Sequence, residues 1–291
     1  MSNTNKPLSH HTPRSTLNAV SSNIANVLTI AGSDSGGGAG IQADIKAISA
    51  TGSFACSVIT SLTAQNTQGV SEILAVNAEF VGLQLDAVFS DINISAVKIG
   101  MLNDASVIKV IAQKLQQYQP QYVVLDPVMV ATSGDALIEK AAIQILVDEL
   151  FPFVTVLTPN LPEAALLLGC DTPKYESEIE AFIHKLQSHP RFKQVKTLLK
   201  GGHFTGEHSC DWLIDGNKIT RFSHPRIATK NTHGTGCTLS SAIASYLAQG
   251  MPLSEAISQA KMYISDALTA ADQLTVGKGS GPVHHFHAFY G

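Results

Sequence analysis

VLTIAGSDSGGGAGIQADIKAISA (27–50) passes from an apolar run into a glycine-rich loop and out into a stretch with apolar residues at helical spacing. The opening VLTIAG is short, apolar and bounded by glycine, as a buried strand should be. Four glycines in five positions, Gly36, Gly37, Gly38 and Gly40, then let backbone approach a ligand closely. No Gly-Lys-Ser/Thr follows, which excludes a Walker loop, and the acidic residue that a dinucleotide fingerprint requires at the end of the next strand is missing. A plain strand-to-helix turn is the alternative. Asp44, in the first turns of the helix, either faces the same pocket as the loop or solvates the helix surface.

The same texture repeats outward from this unit. SVITSL (57–62), AVKIGML (96–102), YVVLD (122–126), VTVLT (154–158) and KTLLKGG (196–202) read as buried strands. Between most of them lie amphipathic stretches, including 41–50, 105–118, 141–151 and 179–186. Strand and helix in alternation specify an α/β protein with a central, mainly parallel sheet covered on both faces. DWLIDGNKITRF (211–222) breaks the style and reads as a hairpin at a sheet edge, after which two helices close the chain, the last over about 254–274. Open parallel sheets bind ligands beyond the carboxyl ends of their strands. Here those ends carry polar groups: Ser33 and Asp34, then Gln65 and Asn66, Asp126, Asn160, and Lys200 with His203.

Composition bounds the classes. The 291 residues are 44% hydrophobic and 14% charged, as in a globular protein. A net charge of −4 offers no basic surface for nucleic acid, and no run of eighteen apolar residues suggests a membrane span. The four cysteines, Cys56, Cys170, Cys210 and Cys237, are far apart and lack metal-finger spacing, which suits reduced thiols in a cytoplasm. Residues 1–25 read as a flexible leader, with an organellar presequence as the weaker alternative, and 26–291 as one large α/β domain.

KNTHGTGCTLSSAIASYL (230–247) opens a second helix from a glycine-spaced loop. Unpaired backbone N–H groups from Gly234 to Cys237, with the helix dipole behind them, outline an anion site. The other reading is a tight turn with Cys237 as a small buried hydrophobe. Asn160-Leu161-Pro162-Glu163 sets an amide and a carboxylate at another helix start. Glu163 can cap that helix or hold magnesium through water, with Asp126 as a second candidate.

Together, AGSDSGGGAGIQADIKA, TAQNT, KIGML, LDPVM, TPNLPEA, KGGH and NTHGTGCTLSSAIA resemble the hydroxymethylpyrimidine/phosphomethylpyrimidine kinases of thiamine biosynthesis, in the ribokinase-like superfamily. The resemblance spans nearly the whole chain after the leader. It implies a three-layer αβα fold, a homodimer, and transfer of the ATP γ-phosphate to 4-amino-5-hydroxymethyl-2-methylpyrimidine and then to its monophosphate. It implies that Gln65 reads the pyrimidine, that Gly32, Ala39, Asp44, Met101 and Val128 line its pocket with Asp44 near the hydroxyl, and that Lys200, Thr232 and Asn160 meet ATP. Asp126 and Glu163 are implied for magnesium, and Gly234, Gly236 and Cys237 for catalysis. A thiol near the ordinary value of about 8.5, lowered at a helix N-terminus, would give a thiolate base. The alternative is that Cys237 is only part of an anion hole whose amides, from Gly234 to Cys237, matter more, since a loose transition state needs little base strength. One departure is Asp34-Ser35-Gly36, where many relatives have Asp-Pro-Ser.

The rivals are a pyridoxine or pyridoxal kinase, which acts on a similar hydroxymethylated heterocycle, and a non-catalytic ligand-binding regulator. A metal reading of His284, His285 and His287 in GKGSGPVHHFHAFYG (277–291) lacks a nearby carboxylate.

Overall fold

The computed structural model describes residues 23–102, 104–129, 140–202 and 204–290. The expected leader therefore lies outside the described residues up to position 22, as does His203. The chain runs β1 (Asn26–Asp34), α1 (Gly40–Ala50), β2 (Phe54–Asn66), β3 (Gly69–Ala75), α2 (Ala78–Phe89), β4 (Ala96–Ile99), α3 (Ala105–Tyr118) and β5 (Tyr122–Leu125). It continues through α4 (Lys140–Leu150), β6 (Val156–Leu157), α5 (Leu161–Leu168), α6 (Ile179–Ser188), β7 (Lys196–Lys200), β8 (His208–Asp215), β9 (Lys218–Pro225), α7 (Thr235–Ala248) and α8 (Leu253–Thr269).

One nine-stranded sheet has the order β3-β2-β1-β4-β5-β6-β7-β8-β9. Strands β2, β1, β4, β5, β6 and β7 are parallel, while β3 pairs antiparallel with β2, and β8 and β9 extend the other edge antiparallel. The expected hairpin is β8–β9, and it forms that edge. The anticipated last helix stops at Thr269, and a short 3₁₀ turn carries the chain through Gln273.

Alternation along the strands sorts side chains into two cores. Leu28, Val97, Leu125, Leu157 and Leu199 join the core that also holds Leu85 of α2, Ile108 of α3, Leu146 of α4, Ala164 of α5 and Phe182 of α6. Val27, Ala96, Val124, Val156 and Leu198 face the opposite way, against Ile48 of α1, Ile243 of α7 and Ile257 of α8. The result is the expected three layers. Strand order reverses between β1 and β4, since β1 leads outward to β2 and β3 before the chain returns on the other side. Such a switch point opens a crevice at the carboxyl ends of the strands.

Lys98 of β4 occupies a position on the α1/α7 face that an apolar residue would normally fill, and it is fully buried. Its ammonium meets both carboxylate oxygens of Asp44 on α1, at 2.8 and 2.9 Å. Thr29 of β1 and Ser241 of α7 donate to the same carboxylate at 2.6 and 2.7 Å. Burial pulls the Lys98 ammonium down, but the Asp44 carboxylate, together with Cys237 and Asp126, outweighs it and holds Lys98 above its ordinary value. Asp44 thus does neither of the things expected of it: it does not solvate the helix and does not line the cavity described below. It is a buried counter-ion joining three elements, and leaving the partner of such a pair alone costs roughly 3–5 kcal/mol.

Candidate active site

Two glycine loops meet above the crevice. Asp34 closes β1 and, almost fully buried, accepts hydrogen bonds from the amides of Gly36, Gly38 and Ala39 at 2.8, 3.0 and 2.8 Å. His233, from the loop before α7, brings Nε2 within 2.9 Å of the same carboxylate. Burial pushes the Asp34 carboxyl up, yet these donors, His233 first, outweigh it and leave Asp34 below the usual range. The loops touch at Gly234, which caps α7 with φ +79°, and a Cβ there would lie 1.8 Å from the Gly38 carbonyl oxygen. Only glycine fits both that conformation and that approach.

Beneath this junction lies a cavity of about 230 Å³. Gly32, Ala39, Gln65, Met101 and Val128 line it, as does the run Gly234 to Cys237. Thr63 donates to Oε1 of Gln65 at 3.1 Å, and the amide nitrogen of Gln65 lies 3.3 Å from His233 Nε2. Asp126, Glu163, Lys98 and Lys200 reach the floor.

A second cavity, of about 440 Å³, opens on the other side of the α7 N-terminus. Asn160, Lys261, Asp211, Leu268 and Ile227 contribute to its wall, and Lys200, Thr232, Thr235 and Gly236 line both cavities. Every expected site residue except Asp44 therefore lines one cavity or the other.

The charged groups between the cavities are ordered. Lys200 bonds Asp126 at 2.8 Å, and Thr158 and Ser240 donate to the same carboxylate at 3.2 and 3.3 Å. Burial raises the Asp126 carboxyl, but Lys200 and Lys98 pull it below its ordinary value. A Cβ on Gly236 would sit 3.2 Å from the Lys200 ammonium, so that charge lies directly against the first turn of α7. Glu163 serves the plainer role as well as lining the cavity: its carboxylate accepts from the Asn160 amide while Asn160 accepts from the Glu163 amide, both at 2.8 Å, a reciprocal cap on α5. Burial pushes Glu163 up to about 7, opposed by Lys200 and reinforced by Asp126.

Cys237 departs from expectation. It stands in the first turn of α7, and the Gly40 amide at the start of α1 is directed to it. Two helix N-termini thus face the sulfur, but burial dominates and pushes the thiol up to about 11, Lys98 opposing and Asp44 and Asp126 adding to the rise. In the ligand-free protein this environment favours the thiol over the expected thiolate.

Asp34, His233 and Lys98 were not singled out as site residues. His233 had a usable signal in standing beside Gly234, and Lys98 in being a charge inside an apolar strand.

A family model described as phosphomethylpyrimidine kinase matches residues 34–284. A hydroxymethylpyrimidine/phosphomethylpyrimidine kinase of Rhizobium meliloti (strain 1021) is 51% identical over 266 residues, 91% of this chain and 98% of its own. Among solved structures, a phosphomethylpyrimidine kinase from Clostridium difficile 630 is 42% identical with a TM-score of 0.71, over 84% of this chain and 99% of that one. The pyridoxal kinase of Bacillus subtilis, in an ADP complex, is 31% identical with a TM-score of 0.82, over 92% and 100%.

The Cys237 environment is testable in the ligand-free protein. Below its pKa a thiol gains thiolate about tenfold per pH unit, so alkylation of the Cys237 peptide by iodoacetamide should keep climbing from about pH 8 to 10. A rate that levels off below about pH 8 would contradict a buried thiol of this kind.

Proposed function

The chain belongs to the phosphomethylpyrimidine kinase family and has its ribokinase-like fold, and from that premise we propose that it moves the γ-phosphoryl group of ATP onto 4-amino-5-hydroxymethyl-2-methylpyrimidine and then onto the monophosphate, for thiamine diphosphate synthesis. The observation that carries this reading is the pair of cavities that meet at the α7 N-terminus and share Lys200, Thr232, Thr235 and Gly236. A phosphoryl group handed from one cavity to the other must pass over that helix start.

The smaller cavity suits the pyrimidine. Gln65 both donates and accepts, which matches an exocyclic amine beside a ring nitrogen. Met101, Val128 and Ala39 supply apolar walls for the ring and its methyl group. The larger cavity suits the nucleotide, with Ile227, Ile264 and Leu268 for an aromatic base and Lys200 turned toward the phosphates. The amides of Gly236 and Cys237, in the first turn of α7, neutralise charge on the transferring group, aided by the helix dipole and Lys200, while the Thr235 amide donates to the Thr232 carbonyl at 3.2 Å. A loose transition state demands little of a base. Cys237 then orients the substrate hydroxyl through its thiol, and the hydroxyl proton leaves late, onto an oxygen of the transferred phosphoryl group, rather than onto a sulfur that already holds its own proton.

Asp126 and Glu163 are hard oxygen donors beside the shared wall, and as a pair they suit magnesium, whose remaining ligands would be water and phosphate oxygens. Bound there, magnesium would neutralise phosphate charge. The proposal extends to a cytoplasmic homodimer formed by a single domain over 26–291. All four cysteines are free, in keeping with a reducing compartment. Leu62, Ile73 and Leu74 on the β2–β3 edge are 44, 40 and 66% exposed, an apolar patch that a second copy would cover. Light scattering that gives the 30.8 kDa mass of one chain would rule out the pairing.

Incubation with Mg-ATP and, separately, the hydroxymethylpyrimidine, its monophosphate and pyridoxal tests the assignment by product mass. Mono- and diphosphorylated pyrimidine are expected. In the same assay Cys237→Ala should lower kcat by about tenfold to a hundredfold while KM changes less. Phosphorylated pyridoxal alone would move the chain to vitamin B6 salvage, and binding of pyrimidine without any transfer would make it a sensor.

A further inference from the structure

The tail GKGSGPVHHF (277–286) is not accounted for by the reading above. Among the described residues no cluster of His, Cys, Asp and Glu could hold a metal. His284 and His285 are instead buried, and Nε2 of His285 lies 2.9 Å from the hydroxyl of Thr238, next to Cys237. The part of the tail ahead of the histidines touches two loops that are far apart in sequence.

On one side is the β2–β3 turn. The Thr67 hydroxyl oxygen accepts from the amides of Lys278 and Gly279 at 3.2 and 3.1 Å, and the Thr67 carbonyl accepts from the Ser280 amide at 3.0 Å. A Cβ on Gly279 would lie 2.0 Å from that carbonyl oxygen, so this residue has no room for any other side chain. On the other side is the loop before α7. The His233 amide donates to the Gly281 carbonyl at 3.0 Å, the Ser280 hydroxyl donates to the Lys230 carbonyl at 3.0 Å, and His233 and Pro282 form a parallel bridge.

These loops carry opposite walls of the smaller cavity. Thr67 stands two residues beyond Gln65, and His233 directly precedes Gly234. Where the walls meet, the Gln65 amide and His233 are 3.3 Å apart. Neither Thr67 nor residues 277–281 line the cavity. We propose that residues 277–282 form a strap that fixes the gap between Gln65 and the His233–Gly234 loop, with Thr67 and Gly279 as positioning residues for the pyrimidine. The proposal rests on the assignment of the smaller cavity to that substrate. Displacements of about 1 Å at a binding wall are enough to cost large factors in affinity or rate.

Calorimetric titration of the full chain with the hydroxymethylpyrimidine and, separately, with a non-hydrolysable ATP analogue tests this. Thr67→Val keeps the shape but loses the acceptor; it should weaken pyrimidine binding about fivefold or more and leave the analogue within about twofold. Thr67→Ser keeps the hydroxyl and should restore the affinity, and Gly279→Ala should weaken it further. Wild-type affinity for pyrimidine in Thr67→Val, or equal loss for both ligands, would overturn the strap. Failure of the wild-type protein to bind pyrimidine would instead overturn the cavity assignment. Should the variants not fold, amide exchange in the wild type decides the matter. Pyrimidine should slow exchange at Lys278, Gly279 and Ser280, which it cannot touch, and unchanged exchange there would contradict the proposal.

Discussion

Two helix N-termini, of α1 and α7, converge on one spot, and each carries the equivalent of about half a positive charge. Asp34 makes that convergence possible. Its buried carboxylate gathers three amides of the first glycine loop and the ring of His233 from the second, and so ties together the loops that precede the two helices. The backbone contact between Gly38 and Gly234 follows from it. So do the position of Cys237 between the two helix starts and the wall between the cavities. An anion arriving at this wall meets amides already aimed at it, which is why the geometry favours phosphoryl transfer over general ligand storage.

A second electrostatic layer lies beneath. Lys98 and Lys200 are balanced by Asp44, Asp126 and Glu163, and both lysines act on Asp126. This near-balance explains the chemistry of Cys237. Lys98 and the helix ends favour a thiolate, but burial and two carboxylates favour the thiol, and the thiol prevails. In the proposed reaction, electrostatic stabilisation of the moving group would therefore come from fixed amides and Lys200, with Cys237 in a supporting part.

The layered fold was legible because its central strands are buried on both faces and read as apolar runs closed by glycine or a polar residue; α3 over Ala105–Tyr118 was readable to the residue. Strand β3 was not. It lies at the edge, mostly exposed, and its GVSEILA lacks the alternation that burial of one face would impose. Helix α2 was also missed, since Phe80 and Leu83 are exposed beside buried Val81 and Leu85 and blur its apolar stripe. The cavity residues were found from strand ends and family motifs. Asp44 was misread because its role depends on Lys98, 54 positions away, and Asp34 passed as a loop residue because its partner His233 is 199 positions away. Pairings at that separation leave no periodic trace.

The central claim is that transfer occurs across the first turn of α7. A crystal structure with the hydroxymethylpyrimidine and a non-hydrolysable ATP analogue tests it most directly. The account predicts the pyrimidine against Gln65, the terminal phosphate over the amides of Gly236 and Cys237, and Lys200 on that phosphate. A terminal phosphate bound away from this helix start, with the pyrimidine hydroxyl turned from Cys237, would contradict it.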